Sequence, residues 1–192
     1  MTTAMHSGLA RAAARFGARD AVLAGDERWS FADLDGLSNA FARHLAACGV
    51  HAGDRVAIML SNRPEFVVAV NGASKLGAAA VLVSPAWKAV EVDHALTLTA
   101  PCHAVADGAG ATLLADRLGP LHVTDLDDAT ARDAALANSR APLASGDLHP
   151  TGEAVMVFSS GTTGFPKAVR HTHASIGHAT THWCTALGLG PD

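Results

Sequence analysis

The sequence has no surplus of positive charge: 14 Lys and Arg stand against 18 Asp and Glu, for a formal net charge of -4, and the cations are scattered. That balance presents no basic face to a polyanion, so nucleic acid is not an expected partner. No N-terminal segment joins a charged start to an apolar core. The longest apolar runs, near Val67 to Val70 and Ala78 to Val83, are interrupted well short of a bilayer's thickness. A cytoplasmic chain with no transmembrane segment is the expectation. Cysteine is scarce too: Cys48, Cys102 and Cys184 lie far apart with no C-x-x-C pair, which suggests neither a disulfide framework nor a thiolate zinc site. They read as buried thiols.

What is present is enough apolar residue for a core. At 49% hydrophobic and 17% charged over 192 residues, the composition is that of a globular chain. Apolar β-rich runs alternate with longer segments of helical period, an order that favours α/β architecture with a mostly parallel sheet flanked by helices. A first helix is expected from Ser30 to about Cys48, where Ser30 and Asp33 form a capping pattern and Phe31, Leu34, Leu37, Phe41 and Leu45 recur at spacings of three and four. Arg55 to Leu60 is nearly continuous apolar sequence and reads as a strand covered on both faces. The next helix has Pro64 near its first turn and Gly77 past its end. Strand "AAAVLVSP", a helix around Lys88 to Thr99, strand "CHAVAD", a helix from Ala111 to Leu118, strand "LHVT" and a helix from Leu126 to Asn138 continue the alternation. Ser139 to Gly152 has no period and reads as a connecting loop, after which "EAVMVF" is a strand.

That strand runs into "SSGTTGFPKAV". Glycines clear the way for backbone N–H groups to turn inward, hydroxyls add donors and a lysine adds charge, which together suit a phosphate. Ser159, Ser160, Gly161, Thr162, Thr163, Gly164 and Lys167 are the candidate binding residues. The better-known phosphate loop needs G-x-x-x-x-G-K-[ST], whereas here Phe165 and Pro166 separate Gly164 from Lys167 and Ala168 follows. No G-x-G-x-x-G follows a strand either.

The stretch "SSGTTGFPKAVRHTH" closely resembles the signature loop of the adenylate-forming superfamily, which comprises acyl-CoA synthetases, luciferases and peptide-synthetase adenylation domains. Upstream, "GDRV", the "NRPE" helix start, "KLG" and the proline after the next strand resemble that family's N-terminal region, so the likeness spans most of residues 1–192. The resemblance implies that the loop holds the β- and γ-phosphates of ATP while a substrate carboxylate attacks the α-phosphorus, with Mg2+ accompanying the nucleotide, Thr162 a candidate to touch the metal, and CoA a co-substrate of the complete enzyme. The acyl-CoA branch is favoured over peptide-synthetase adenylation. Where the family has glycine after the lysine, this chain has Ala168. If the site needs positive φ the β-carbon costs roughly 1–2 kcal/mol, and if it is extended the change is harmless.

Other candidates carry blander readings. His178 and His182 lie four apart, but the glutamate of H-E-x-x-H and a third ligand are missing. His173 stands at a helix start, where capping and catalysis are both open, and Thr172 suits the N-cap. "FSSGT" lacks the G-x-S-x-G elbow of a serine hydrolase. Trp29, Trp87, Trp183, Phe16, Phe31, Phe41 and Phe66 read as packing. No catalytic residue is identified. The family's magnesium, ribose and adenine elements and its small C-terminal domain have no counterpart here, so the expectation is an incomplete N-terminal portion prone to self-association through open sheet edges. The alternative of another class is a non-catalytic nucleotide-binding or interaction module.

Overall fold

The computed structural model describes residues 4–143, 148–159 and 164–190. It opens with elements not expected from the sequence: helix α1 (Ser7–Phe16) and an antiparallel hairpin of β1 (Asp20–Ala24) and β2 (Glu27–Ser30). The helix expected from Ser30 is therefore the second, α2 (Phe31–Ala47). Its capping pattern is realised in both directions. The Asp33 N–H donates to Ser30 Oγ at 3.1 Å and the Ser30 N–H donates to the Asp33 carboxylate at 3.1 Å. The hydroxyl bond from Ser30 also holds the Asp33 carboxyl below its ordinary value.

Strand β3 (Arg55–Met59) and helix α3 (Glu65–Leu76) follow. Gly77 ends α3 at φ 86°, and the Ala78 N–H reaches back to the Ala73 carbonyl at 2.9 Å. A side chain at Gly77 would also sit 2.9 Å from Leu148 and 3.0 Å from Ala52, so both conformation and space require glycine. Then come β4 (Ala79–Leu82), α4 (Ala89–Thr99), β5 (His103–Ala106), α5 (Gly108–Leu118), a 3-10 turn at Pro120–His122, β6 (Val123–Asp125) and α6 (Ala129–Leu136). The last helix starts three residues later than expected because the Asp128 carboxylate takes the cap, accepting from the Ala131 N–H at 2.9 Å, while Leu126 is buried in the core. Strands β7 (Glu153–Ser159) and β8 (Lys167–Thr172) and helix α7 (His173–Ala186) complete the order, with Thr172 as the N-cap, its Oγ accepting from the Ser175 N–H at 3.1 Å.

Six strands form one sheet in the order β6-β5-β3-β4-β7-β8. Neighbours run parallel except β7 and β8, which are antiparallel. The architecture is α/β, a mostly parallel sheet flanked by helices. Alternation along β3 shows why the strand reads as an unbroken apolar run: Val56 and Ile58 pack with Phe41, Leu45 and Val68 of α2 and α3, whereas Ala57 and Met59 pack with Val92 of α4 and Leu114 of α5. Each face of the sheet has its own core.

At the amino edge of the sheet, Arg55 grips Glu153 with two hydrogen bonds, at 2.8 and 3.1 Å, and Arg170 of β8 adds a third at 2.8 Å. These bonds from Arg55 and Arg170 hold the Glu153 carboxyl below its ordinary value and tie β3, β7 and β8 together. Among the described residues no helix is long and apolar enough to cross a membrane.

Two sets of side chains depart from expectation. Cys102 is exposed and Cys48 and Cys184 are half-buried, so none of the thiols is the buried core residue expected. Trp183 of α7 is 63% exposed, and Phe16 lies under the guanidinium groups of Arg15 and Arg19, so neither packs in the core.

Candidate functional site

The candidate loop leaves the sheet where the chain's connections diverge. After β4 the chain passes through residues 83–88 into α4 and returns as β5 on the far side of β3, whereas after β7 it turns to β8 on the opposite flank. Because the two connections move apart, the carboxyl ends of β4 and β7 border a crevice, the general location for ligands in open α/β sheets. Ser159 is the last residue of β7 and pairs directly with Lys167, the first of β8, so the hairpin holds both ends of the intervening segment opposite each other.

Of the seven candidate residues, Ser159, Gly164 and Lys167 can be placed. Ser160, Gly161, Thr162 and Thr163 lie outside the described residues. Gly164 adopts φ 125°, a conformation that L side chains rarely take. Lys167 is exposed and pairs with no carboxylate among the described residues, which leaves its ammonium uncommitted. Ala168 lies within β8 opposite Phe158 and does not have positive φ, so its β-carbon carries no backbone strain.

One stretch supports both ends of the loop. The Trp87 ring meets Phe158, the residue before Ser159, edge-to-face at 5.0 Å between centroids. Seven residues on, the His94 ring stacks on Phe165 at 4.8 Å with 22° between planes, and its Nε2 lies 3.0 Å from the Pro166 carbonyl oxygen. Since a carbonyl only accepts, Nε2 carries the proton and donates. Nothing in the sequence marked His94: it belongs to no motif, and only the packing of α4 against β8 brings it to the loop.

A second divergence, between β3 and β5, is closed by the protein itself. Arg63 donates to both oxygens of Glu65 at 3.0 and 3.1 Å, to Asp127 at 3.0 Å and to Asp107 at 3.5 Å, and Asp107 in turn accepts from the Ser61 N–H and hydroxyl. Burial pushes the Glu65 carboxyl up, but the Arg63 bonds outweigh that and leave it below its ordinary value. These carboxylates hold Arg63 firmly charged.

The histidine candidates fall elsewhere. His178 and His182 are exposed on α7 and stack on each other at 6.3 Å, and among the described residues no group of three or more His, Cys, Asp or Glu could hold a metal ion. His173 is buried and its Nδ1 accepts from the Met5 N–H at 3.2 Å. It follows the far end of β8 from Lys167, roughly 17 Å away at strand rise, so it closes the helix start rather than reaching the loop.

Among the described residues the crevice thus offers a cation, the Ser159 hydroxyl and a glycine turn, with no carboxylate paired to the cation, a donor set suited to an anionic ligand. The profile of a family described as "AMP-binding enzyme" matches residues 9–192. Among curated proteins, the long-chain-fatty-acid–CoA ligase FadD13 of Mycobacterium tuberculosis is 32% identical over 169 residues, covering 85% of this chain and 33% of its own. The phosphinothricin tripeptide synthetase PhsC of Streptomyces viridochromogenes is 33% identical over 184 residues, covering 92% of this chain and 16% of its own. Among solved structures, VinN superimposes with a TM-score of 0.87 at 26% identity, over 99% of this chain and 48% of VinN. The chain spans about a third of FadD13, and it belongs to the AMP-binding, adenylate-forming enzyme family.

Proposed function

We propose that this chain is the N-terminal part of an ATP-dependent acyl-CoA synthetase, which activates a small-molecule carboxylic acid as an acyl-adenylate and passes it to CoA, and that its own task is to grip the phosphates of ATP. The observation that carries this is the hairpin at the β4/β7 crevice: Ser159 and Lys167 sit opposite each other with Gly164 in a left-handed turn, and among the described residues no carboxylate pairs with the lysine. When bound, MgATP would supply the α-phosphorus that the carboxylate attacks, with pyrophosphate leaving.

The chain's residues bind and orient. The Lys167 ammonium offsets phosphate charge, and the hydroxyls of Ser159, Ser160, Thr162 and Thr163 donate to phosphate oxygens that Gly161 and Gly164 let approach the backbone. Hydroxyls and a lysine fit phosphate rather than a bare cation, so Mg2+ arrives on the nucleotide, with Thr162 the residue proposed to touch it. Domain closure and the remaining chemistry belong to parts of the relatives that this chain does not match.

A second reading, adenylation for peptide synthesis, is favoured by the likeness to PhsC, and VinN was solved with 3-methylaspartate, an amino acid. Pyrophosphate exchange into ATP by a longer protein carrying this sequence, screened against fatty, aromatic and amino acids, separates the two. For the binding claim, calorimetric titration of the 192-residue chain with MgATP should show saturable binding that Lys167→Ala weakens about tenfold or more, the scale of one charge-assisted bond. Heat unaffected by that substitution would overturn the assignment.

A further inference from the structure

We infer that His94 is a positioning residue for the phosphate loop, acting from outside it by clamping its far end. The inference rests on the phosphate-loop reading above. Two independent contacts come from one imidazole: the ring stacks on Phe165 at 4.8 Å and 22°, and its Nε2 donates to the Pro166 carbonyl at 3.0 Å. Pro166 has no N–H, so its carbonyl is the only backbone hydrogen-bonding group it brings to this turn, and His94 takes it.

The position of these contacts matters more than their strength. Phe165 and Pro166 immediately precede Lys167, the first residue of β8. At the other end Trp87 holds Phe158, immediately before Ser159. Trp87 and His94 therefore support the two sides of one loop from the start of α4 and its second turn. Phe165 is 52% exposed, and the His94 ring stacks on it. Without His94 the loop keeps its hairpin base but loses the contact that fixes how Lys167 approaches the crevice.

The imidazole suits this task because one ring supplies both the Nε2–H donor and the stacking face. A glutamine can reproduce the donor but not the stacked ring, and Phe165→Leu removes the ring partner while leaving the hydrogen bond. The two halves of the clamp are therefore separable.

The test uses the 192-residue chain and reads hydrogen exchange of the peptide spanning residues 159–170 alongside MgATP titration. His94→Ala is expected to speed exchange in that peptide about tenfold with β3 and β5 unchanged, and to weaken MgATP about fivefold to tenfold. His94→Gln should recover part of both effects, whereas Lys167→Ala should weaken MgATP with loop exchange as in the wild type. Exchange in His94→Ala equal to the wild type overturns the clamp, whatever the nucleotide does. Faster exchange with MgATP affinity unchanged overturns the positioning role. If the wild-type chain shows no saturable MgATP binding, the phosphate reading itself falls and the positioning role falls with it, leaving His94 a structural contact.

Discussion

Two crevices open at the carboxyl edge of the same sheet, and they have opposite fates. At β3/β5 the chain fills the gap with its own ions: Arg63 bridges Glu65, Asp107 and Asp127, and Ser61 completes the shell around Asp107. At β4/β7 the chain places Ser159, a left-handed glycine and Lys167, with no carboxylate on the lysine among the described residues. Topology created both gaps alike. Composition decides which one is a binding site, since charges already satisfied internally have little to offer a ligand, and an unpaired cation beside donors has much.

The largest expected effect comes from breaking the closed crevice. Arg63→Ala removes the cation from Glu65 and Asp107, each about 8% exposed, and leaves two buried carboxylates uncompensated. The cost should be about 3–5 kcal/mol, read as a lower denaturant midpoint. Lys167→Ala, at an exposed site with no internal partner, should change stability by about 0.5 kcal/mol or less. Comparable losses in the two variants would abolish the distinction between the crevices.

Acid separates the closed crevice from the rest of the fold. Burial, with the Lys75 charge second, lowers His6 to about 4, and burial, with His44 and His122 second, lowers His103 to about 4. The His103 Nε2 lies 2.9 Å from Thr124 Oγ1, while its Nδ1 has no partner among the described residues, so protonation would place an unsatisfied donor in the core. Both histidines bind their proton less well folded than unfolded. Their stabilisation is complete above the unfolded value of about 6.5, falls as pH drops from there, and levels off near 4, a loss of at most about 3 kcal/mol each. Glu65 titrates below its ordinary value, so the Arg63 network should still hold through that window and yield only at lower pH. Denaturant midpoints measured from pH 7 to 4 should decline, and His103→Gln should make the decline shallower. A flat profile would sink the buried-neutral assignment.

How much of this was legible depended on whether a signal was local. The Ser30/Asp33 cap, the Gly77 stop and the two-faced strand at β3 are set by neighbours in sequence or by burial, and all appear where the residues indicated. Helix α1 was missed although its apolar residues share one face and Leu9 packs on the core, since it is short and has no fully buried residue; β8 was missed too, because "KAVRHT" alternates weakly and is defined by its pairing with β7. The site divides in the same way. Ser159, Gly164 and Lys167 are visible as a loop motif, whereas His94 is 72 residues from Pro166 and has meaning only once α4 packs on β8. The Arg63 network also escaped notice, because Asp107 and Asp127 reach it from separate βα loops.

The smallest effects concern two alanines that the same substitution should push in opposite directions. Ala100, the C-cap of α4, has φ 43°, the one non-glycine residue with positive φ among those described. Glycine there relieves the β-carbon strain, so Ala100→Gly should gain up to about 1 kcal/mol after the added entropy of the unfolded chain. Ala168 stands where the family's loop motif has glycine, yet it is an extended residue paired with Phe158 in β8. No strain exists there to relieve. Ala168→Gly should therefore cost about 0.5–1 kcal/mol and loosen the strand that carries Lys167, without tightening MgATP. If Ala168→Gly instead raised both stability and nucleotide affinity, the loop would have to leave β8 in a left-handed turn at that residue, and the open crevice would be shaped differently from the one described.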